Sequence, residues 1–82
     1  MPVVYLVRCA DGSYYTGWTI DLEKRVQAHN EGRGARYTRS RRPVVLVYQE
    51  SVESKSEALK REYHIRRMSH EEKHALSIKK NG

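Results

Sequence analysis

Two helical segments of this 82-residue chain turn charged side chains toward positions that apolar ones normally hold. In Asp21–Asn30 (DLEKRVQAHN), at about 100° per residue, Val26 falls roughly +40° from Leu22, His29 roughly −20° and Arg25 roughly −60°. The histidine lies within the apolar stripe and the arginine on its flank. The segment after Ser54 repeats the pattern with opposite sign. Taking Leu59 as origin, Ala58 lies at roughly −100°, Ile65 at roughly −120° and Glu62 at roughly −60°, in the middle of the expected apolar face. An ionised carboxylate turned inward needs a cation or strong donors, since unpaired burial costs on the order of several kcal/mol. Either Glu62 balances Arg25 as an internal ion pair, or the two helices line a cleft. In such a cleft Glu62 holds a metal ion while Arg25 and His29 face a phosphate.

The tyrosines favour the cleft. Val3–Cys9 (VVYLVRC) is a β-branched and aromatic run, followed by Asp11-Gly12 and then SYYTGW, the pattern of a β-hairpin. A two-residue Asp-Gly turn would put Tyr5 and Tyr15 on opposite faces. A three-residue loop, Ala10-Asp11-Gly12 with Gly12 left-handed, pairs Cys9 with Ser13. Tyr5 and Tyr15 then share a face, with Gly17 across from Tyr5, and this register is the one expected.

Charge points to the partner. Arg33–Arg42 (RGARYTRSRR) holds five arginines and no acid, and so carries +5 of the net +6. A basic patch this local is the usual footprint of a polyanion. Arginine in place of lysine throughout suits phosphate, which guanidinium binds through two parallel hydrogen bonds. Arg33, Arg36, Arg39, Arg41 and Arg42 are therefore candidate nucleic-acid contacts. Trp18 is another, as a base-stacking ring, although a lone tryptophan after a strand is as often core packing.

The elements that must position these groups follow from local signals. Asp21 caps a helix running to about Glu31, and Gly32 ends it. A basic loop follows, and Pro43 opens a third strand in VVLVY. Ser54-Lys55-Ser56-Glu57 is a capping box for a helix to about Met68, and Ser69-His70-Glu71-Glu72 opens a shorter one. The expected architecture is α+β, order ββαβαα, with helices on a three-stranded antiparallel sheet. One domain spans 1–78 and a polar tail 79–82. Cys9 is the single cysteine, which excludes an internal disulfide and fits a reducing cytoplasm. No apolar run approaches a membrane span and no signal peptide precedes Val3.

Taken in order, Val3-Val4-Tyr5, Tyr15-Thr16-Gly17, Arg25–Asn30, Gly34–Thr38 and Glu62 resemble the GIY-YIG nuclease superfamily. The likeness spans about three-quarters of the chain. It is nearest to small stand-alone bacterial members and to the catalytic subunit of eukaryotic structure-specific endonucleases. The resemblance implies a GIY-YIG endonuclease fold and a metal-dependent phosphodiesterase acting on DNA, branched or single-stranded, in repair or recombination. It implies that Glu62 ligates one Mg²⁺ or Mn²⁺ ion, bound weakly without substrate, and that Arg25 binds the scissile phosphate. Tyr15, or failing that Tyr5, orients or deprotonates the attacking water, and His29 relays a proton or itself acts as base.

The chain departs from the family pattern at several positions. Valines replace glycine and isoleucine in the first triplet, Thr16 replaces isoleucine in the second, and Trp18 stands where some members carry lysine. Some members also use a late asparagine, and here the only candidate, Asn81, sits in the tail. Two other functions fit the composition: a nucleic-acid-binding module that keeps the fold without cleaving and relies on a protein partner for targeting, and a basic protein-interaction domain. The inward Arg25, His29 and Glu62 favour the nuclease, since binding alone requires no carboxylate there.

Overall fold

A computed structural model of the chain describes residues 1–79. The expected tail therefore lies, apart from Lys79, outside the described residues, and Asn81 with it. The described elements are β1 (Val3–Arg8), β2 (Tyr14–Thr19), α1 (Leu22–Asn30), α2 (Arg36–Arg39), β3 (Val45–Ser51), α3 (Lys55–Arg66) and α4 (His70–Ser77). The expected α+β order is present, with one addition. The basic loop contains a single helical turn, α2.

The hairpin has the three-residue loop. Tyr5 pairs with Gly17 and Val7 with Tyr15, the Cys9 amide donates to the Ser13 carbonyl at 2.8 Å, and Gly12 sits at φ 86°. That backbone conformation strains most L-residues and leaves glycine free. The antiparallel sheet runs β2-β1-β3, so β1 is central and β2 forms an edge. One extra residue of β3 bulges opposite Leu6 and Val7.

Being central, β1 is covered on both faces, and Val4, Tyr5, Leu6 and Val7 are all buried. Val4 and Leu6 pack with Tyr14, Tyr48, Ala58 and Ile65, the layer formed by α3 and α4. Tyr5 and Val7 pack with Cys9, Val44 and Leu22, the layer containing α1. The molecule is thus three layers, with the sheet between two pairs of helices.

Helix starts match their local signals. The Asp21 carboxylate accepts from the Lys24 amide at 3.2 Å, and the Ser54 hydroxyl accepts from the Glu57 amide at 3.2 Å. The return arm of that second cap is displaced, because Glu57 accepts from the Glu53 amide, one residue earlier. Ser69 and Glu72 form the complete reciprocal box. Among the described residues no helix is long and apolar enough to cross a membrane.

The buried side of α3 is rotated from its expected centre. Ala58 and Ile65 are fully buried, whereas Leu59 is 46% exposed. The apolar stripe is only two residues wide, so the sheet selects its axis. Glu62 therefore flanks the buried stripe instead of lying in its middle.

Candidate active site

Tyr5 and Tyr15 project from the same sheet face toward His29 of α1. The Tyr15 ring lies 5.2 Å from the His29 ring and the Tyr5 ring 5.7 Å from it, both edge-on. The Tyr5 hydroxyl is 2.7 Å from His29 Nε2. On its other side the imidazole meets Thr38 of α2, with Nδ1 2.7 Å from Oγ1. Thr38 in turn donates to the Ala35 carbonyl at 3.2 Å.

This chain of contacts assigns the protons. A carbonyl only accepts, so the Thr38 hydroxyl donates to Ala35 and accepts from His29 Nδ1–H. His29 Nε2 is then the lone-pair nitrogen and accepts from the Tyr5 hydroxyl. Burial holds the His29 pKa below its ordinary value, and the nearby Arg25 charge lowers it further, which keeps the ring neutral. Burial raises the Tyr5 pKa to about 12; Tyr15 adds to the rise and Arg25 opposes it. At neutral pH the pair is a phenol donating to a neutral imidazole.

Two glycines make room for the pair. A Cβ at Gly17 would fall 2.5 Å from the Tyr5 hydroxyl oxygen, and one at Gly34 would fall 2.3 Å from His29 Nδ1. The Tyr5 hydroxyl therefore lies directly over the backbone of the edge strand. Arg25, half-buried, lies close enough for its charge to act on both Tyr5 and His29.

Glu62 approaches from the other layer, on α3. Its charge is felt at the Tyr5 hydroxyl, although its ion-pair partner is Arg66, one turn along, at 3.3 Å. No Arg25–Glu62 ion pair forms among the described residues, so an internal pair between the two helices is not what turns these charges inward. Arg66 also donates to the Thr16 carbonyl at 3.4 Å, which ties α3 to the edge strand beside Gly17.

The donor set bears on a metal. Among the described residues no three His, Cys, Asp or Glu side chains cluster as a cage. Glu62, with a side chain 17% exposed, offers one hard oxygen donor. That fits Mg²⁺ or Mn²⁺ held through one carboxylate, water and substrate phosphate, and it does not fit a tightly held structural ion.

The arginine loop is partly structural. Arg33 pairs with Glu31, and Arg41 with Asp11 at 3.2 Å. Arg39 donates to the Gly32 carbonyl and Arg42 to the Arg39 carbonyl, both bracing the loop's own backbone. Arg36 is exposed. Trp18 packs against the α3-side core and also lines a cleft with Thr19, Ile20 and Arg25.

Several residues of the site carried no assigned role in the sequence reading. Thr38 is fully buried and completes the histidine's contacts. The Asn30 amide clamps Val44, accepting from its N–H at 2.7 Å and donating to its carbonyl at 3.1 Å, and so ties the end of α1 to the third strand's approach. Gly34, Thr38 and Asn30 all fall within the sequence fragments that carried the resemblance, and their position there was the only available signal.

Comparison with known proteins bears on the family and the fold. The family model described as the GIY-YIG catalytic domain matches residues 1–75. A UPF0213 protein of Halobacterium salinarum is 55% identical over 76 residues, covering 93% of this chain and 99% of its own. One from Staphylococcus saprophyticus is 59% identical over 70 residues, covering 85% of each chain. Among solved structures, the solution structure of a UPF0213 protein from Bacillus halodurans aligns at TM-score 0.57 with 43% identity, over 93% of this chain and 82% of that one. A second solution structure, from E. faecalis, aligns at TM-score 0.60 with 32% identity, over 98% and 90%.

Proposed function

Because the chain belongs to the GIY-YIG family, whose members are nucleases, we propose that it is a divalent-metal-dependent endonuclease that hydrolyses phosphodiester bonds in DNA. The observation that carries this reading is the convergence of Tyr5, Tyr15, Arg25 and His29 beside Gly17 of the edge strand, with the Glu62 charge within reach of the Tyr5 hydroxyl.

Each residue has a role suited to its surroundings. Arg25 binds the scissile phosphate and offsets charge that grows on it in the transition state. Glu62 would hold the metal ion, which when bound supplies Lewis-acid polarisation of the phosphoryl group. Tyr15, half-buried in the lining of a cleft, orients the attacking water. His29 is fully buried and does not meet that water directly. Its lone-pair nitrogen is committed to Tyr5, so it works through the phenol, accepting its proton if Tyr5 passes one on. The high Tyr5 pKa argues against a resting phenolate, and with His29 held neutral it leaves the proton on Tyr5 at rest.

The deciding experiment offers labelled flapped, branched, single-stranded and duplex DNAs to the protein, with and without Mg²⁺ or Mn²⁺. Metal-dependent cleavage that disappears in Arg25→Ala and Glu62→Gln supports the reading. Binding without cleavage across the whole panel would replace it with that of a binding module.

A further inference from the structure

A second cleft opens beside the catalytic cluster. It encloses about 300 Å³ and is lined by Tyr14, Tyr15 and Tyr37 together with Arg66 and Lys73. Tyr15 belongs both to this cleft and to the catalytic cluster. Along the edge strand, residues 14–16 border this cleft and residues 18–20 border the Trp18–Arg25 cleft. Gly17 and the Tyr5 hydroxyl above it lie between the two.

The chemistry of the second cleft is that of a nucleotide's two halves. Its aromatic wall is held rigid. Tyr37 stacks on Tyr15 with ring centres 6.0 Å apart and planes 25° apart. The Arg41 guanidinium covers Tyr37 at 4.0 Å from the ring centre, and is itself fixed by Asp11 and by the Tyr37 carbonyl. An exposed tyrosine clamped in this way has little freedom left to lose when a flat ligand packs against it. The cationic side is Lys73 on α4 and Arg66 on α3, the latter tied by its contact with Glu62.

We propose that this cleft seats an unpaired nucleotide next to the scissile phosphate, its base packed on the Tyr15–Tyr37 wall and its outer phosphate facing Arg66 and Lys73. The inference rests on the nuclease reading for what lies at Gly17, and it adds a substrate requirement. A base enters such a cleft only when it has left its own stack, so a strand with a free or easily displaced base is favoured over intact duplex. Tyr37, Arg66 and Lys73 then act as specificity residues.

The test is a binding measurement in EDTA, where no cleavage occurs. A short single-stranded DNA containing 2-aminopurine is titrated with protein, following both anisotropy and 2-aminopurine emission, alongside the same strand in duplex. Emission should fall on saturation with the native protein. Tyr37→Leu should bind about tenfold more weakly and lose that quenching, and Tyr37→Phe should restore both. Lys73→Gln, which removes the charge of a half-buried α4 side chain, should make the salt dependence of log affinity shallower by about 0.7 unit on single strands even if Tyr37→Leu fails to fold. Binding without quenching, quenching that survives in a folded Tyr37→Leu, or an unchanged slope for Lys73→Gln overturns the subsite and leaves the nuclease reading intact. Quenching without metal-dependent cleavage has the reverse effect.

Discussion

The Tyr5 hydroxyl occupies the space a side chain at Gly17 would need, since a Cβ built there lies 2.5 Å from its oxygen and 2.7 Å from its ring carbon. The tyrosine of one strand and the glycine of its neighbour are therefore a single device. The empty position lets the phenol lie across the edge strand and reach the boundary between the two helical layers, where Arg25 and Glu62 approach it from opposite sides.

Gly17→Ala should accordingly displace the Tyr5 ring. Both atoms nearest the added methyl belong to a packed ring, so relief requires moving a buried side chain, a change expected to cost about 1–3 kcal/mol. Denaturant unfolding should show that loss together with a drop in cleavage. A Gly17→Ala protein with native stability and activity would show that Tyr5 does not need its observed position.

Tyr5→Phe isolates the hydroxyl. The ring remains, but His29 Nε2 loses its donor while fully buried, which should cost about 1–3 kcal/mol. If the phenol only holds the histidine, a Tyr5→Phe protein assayed well below its melting temperature should cleave normally. If it relays a proton, kcat should fall with little change in KM.

The depressed His29 pKa makes a signed prediction. Its folded value lies below the ordinary histidine value of about 6.5, so the unfolded chain takes up a proton that the native state resists. The stabilisation from keeping His29 neutral is complete above that ordinary value and is lost as pH falls through it toward the folded pKa. Melting temperature should decline from pH 7 to pH 5, and His29→Gln should flatten the decline. Equal slopes in the two proteins would mean that other groups cause it.

Glu62→Gln separates chemistry from scaffold. Its only ion-pair partner among the described residues is a largely exposed Arg66, a contact worth at most about 1 kcal/mol. Stability should change by no more than that, DNA affinity in EDTA should hold, and metal-dependent cleavage should disappear. Cleavage at the native rate in Glu62→Gln would remove Glu62 as the metal ligand.

Among the loop arginines, Arg33 and Arg36 are the two to replace together. Arg39, Arg41 and Arg42 hold backbone carbonyls, so changing them would disturb the loop as well as its charge. The Arg33→Ala/Arg36→Ala protein should bind DNA with a log–log salt slope shallower by up to about 2 units at unchanged stability. An unchanged slope would place the DNA path elsewhere.

Much of this site was legible along the chain because it depends on local rules. Strand pairing across a three-residue loop obliges Tyr5 and Tyr15 to share a face, and helical periodicity turns His29 and Arg25 inward beside Leu22. Asp21, Ser54 and Ser69 mark helix starts because a side-chain oxygen there satisfies an otherwise orphaned amide. Periodicity could not centre the buried stripe of α3, because an isolated helix with two small apolar contacts has no preferred rotation until a sheet selects one. Nor could it show that Glu62 pairs with Arg66 and not Arg25, that Thr38 turns back onto His29, or that Tyr14, Tyr37 and Lys73 border one cleft. Those groups are separated by up to 59 positions in sequence. The sequence by itself determined the strands, the caps and the inward-facing residues of α1. The tertiary structure alone decided which distant side chains meet at the edge of β2, since such contacts arise only when the α1 and α3 layers close on opposite faces of the same strands.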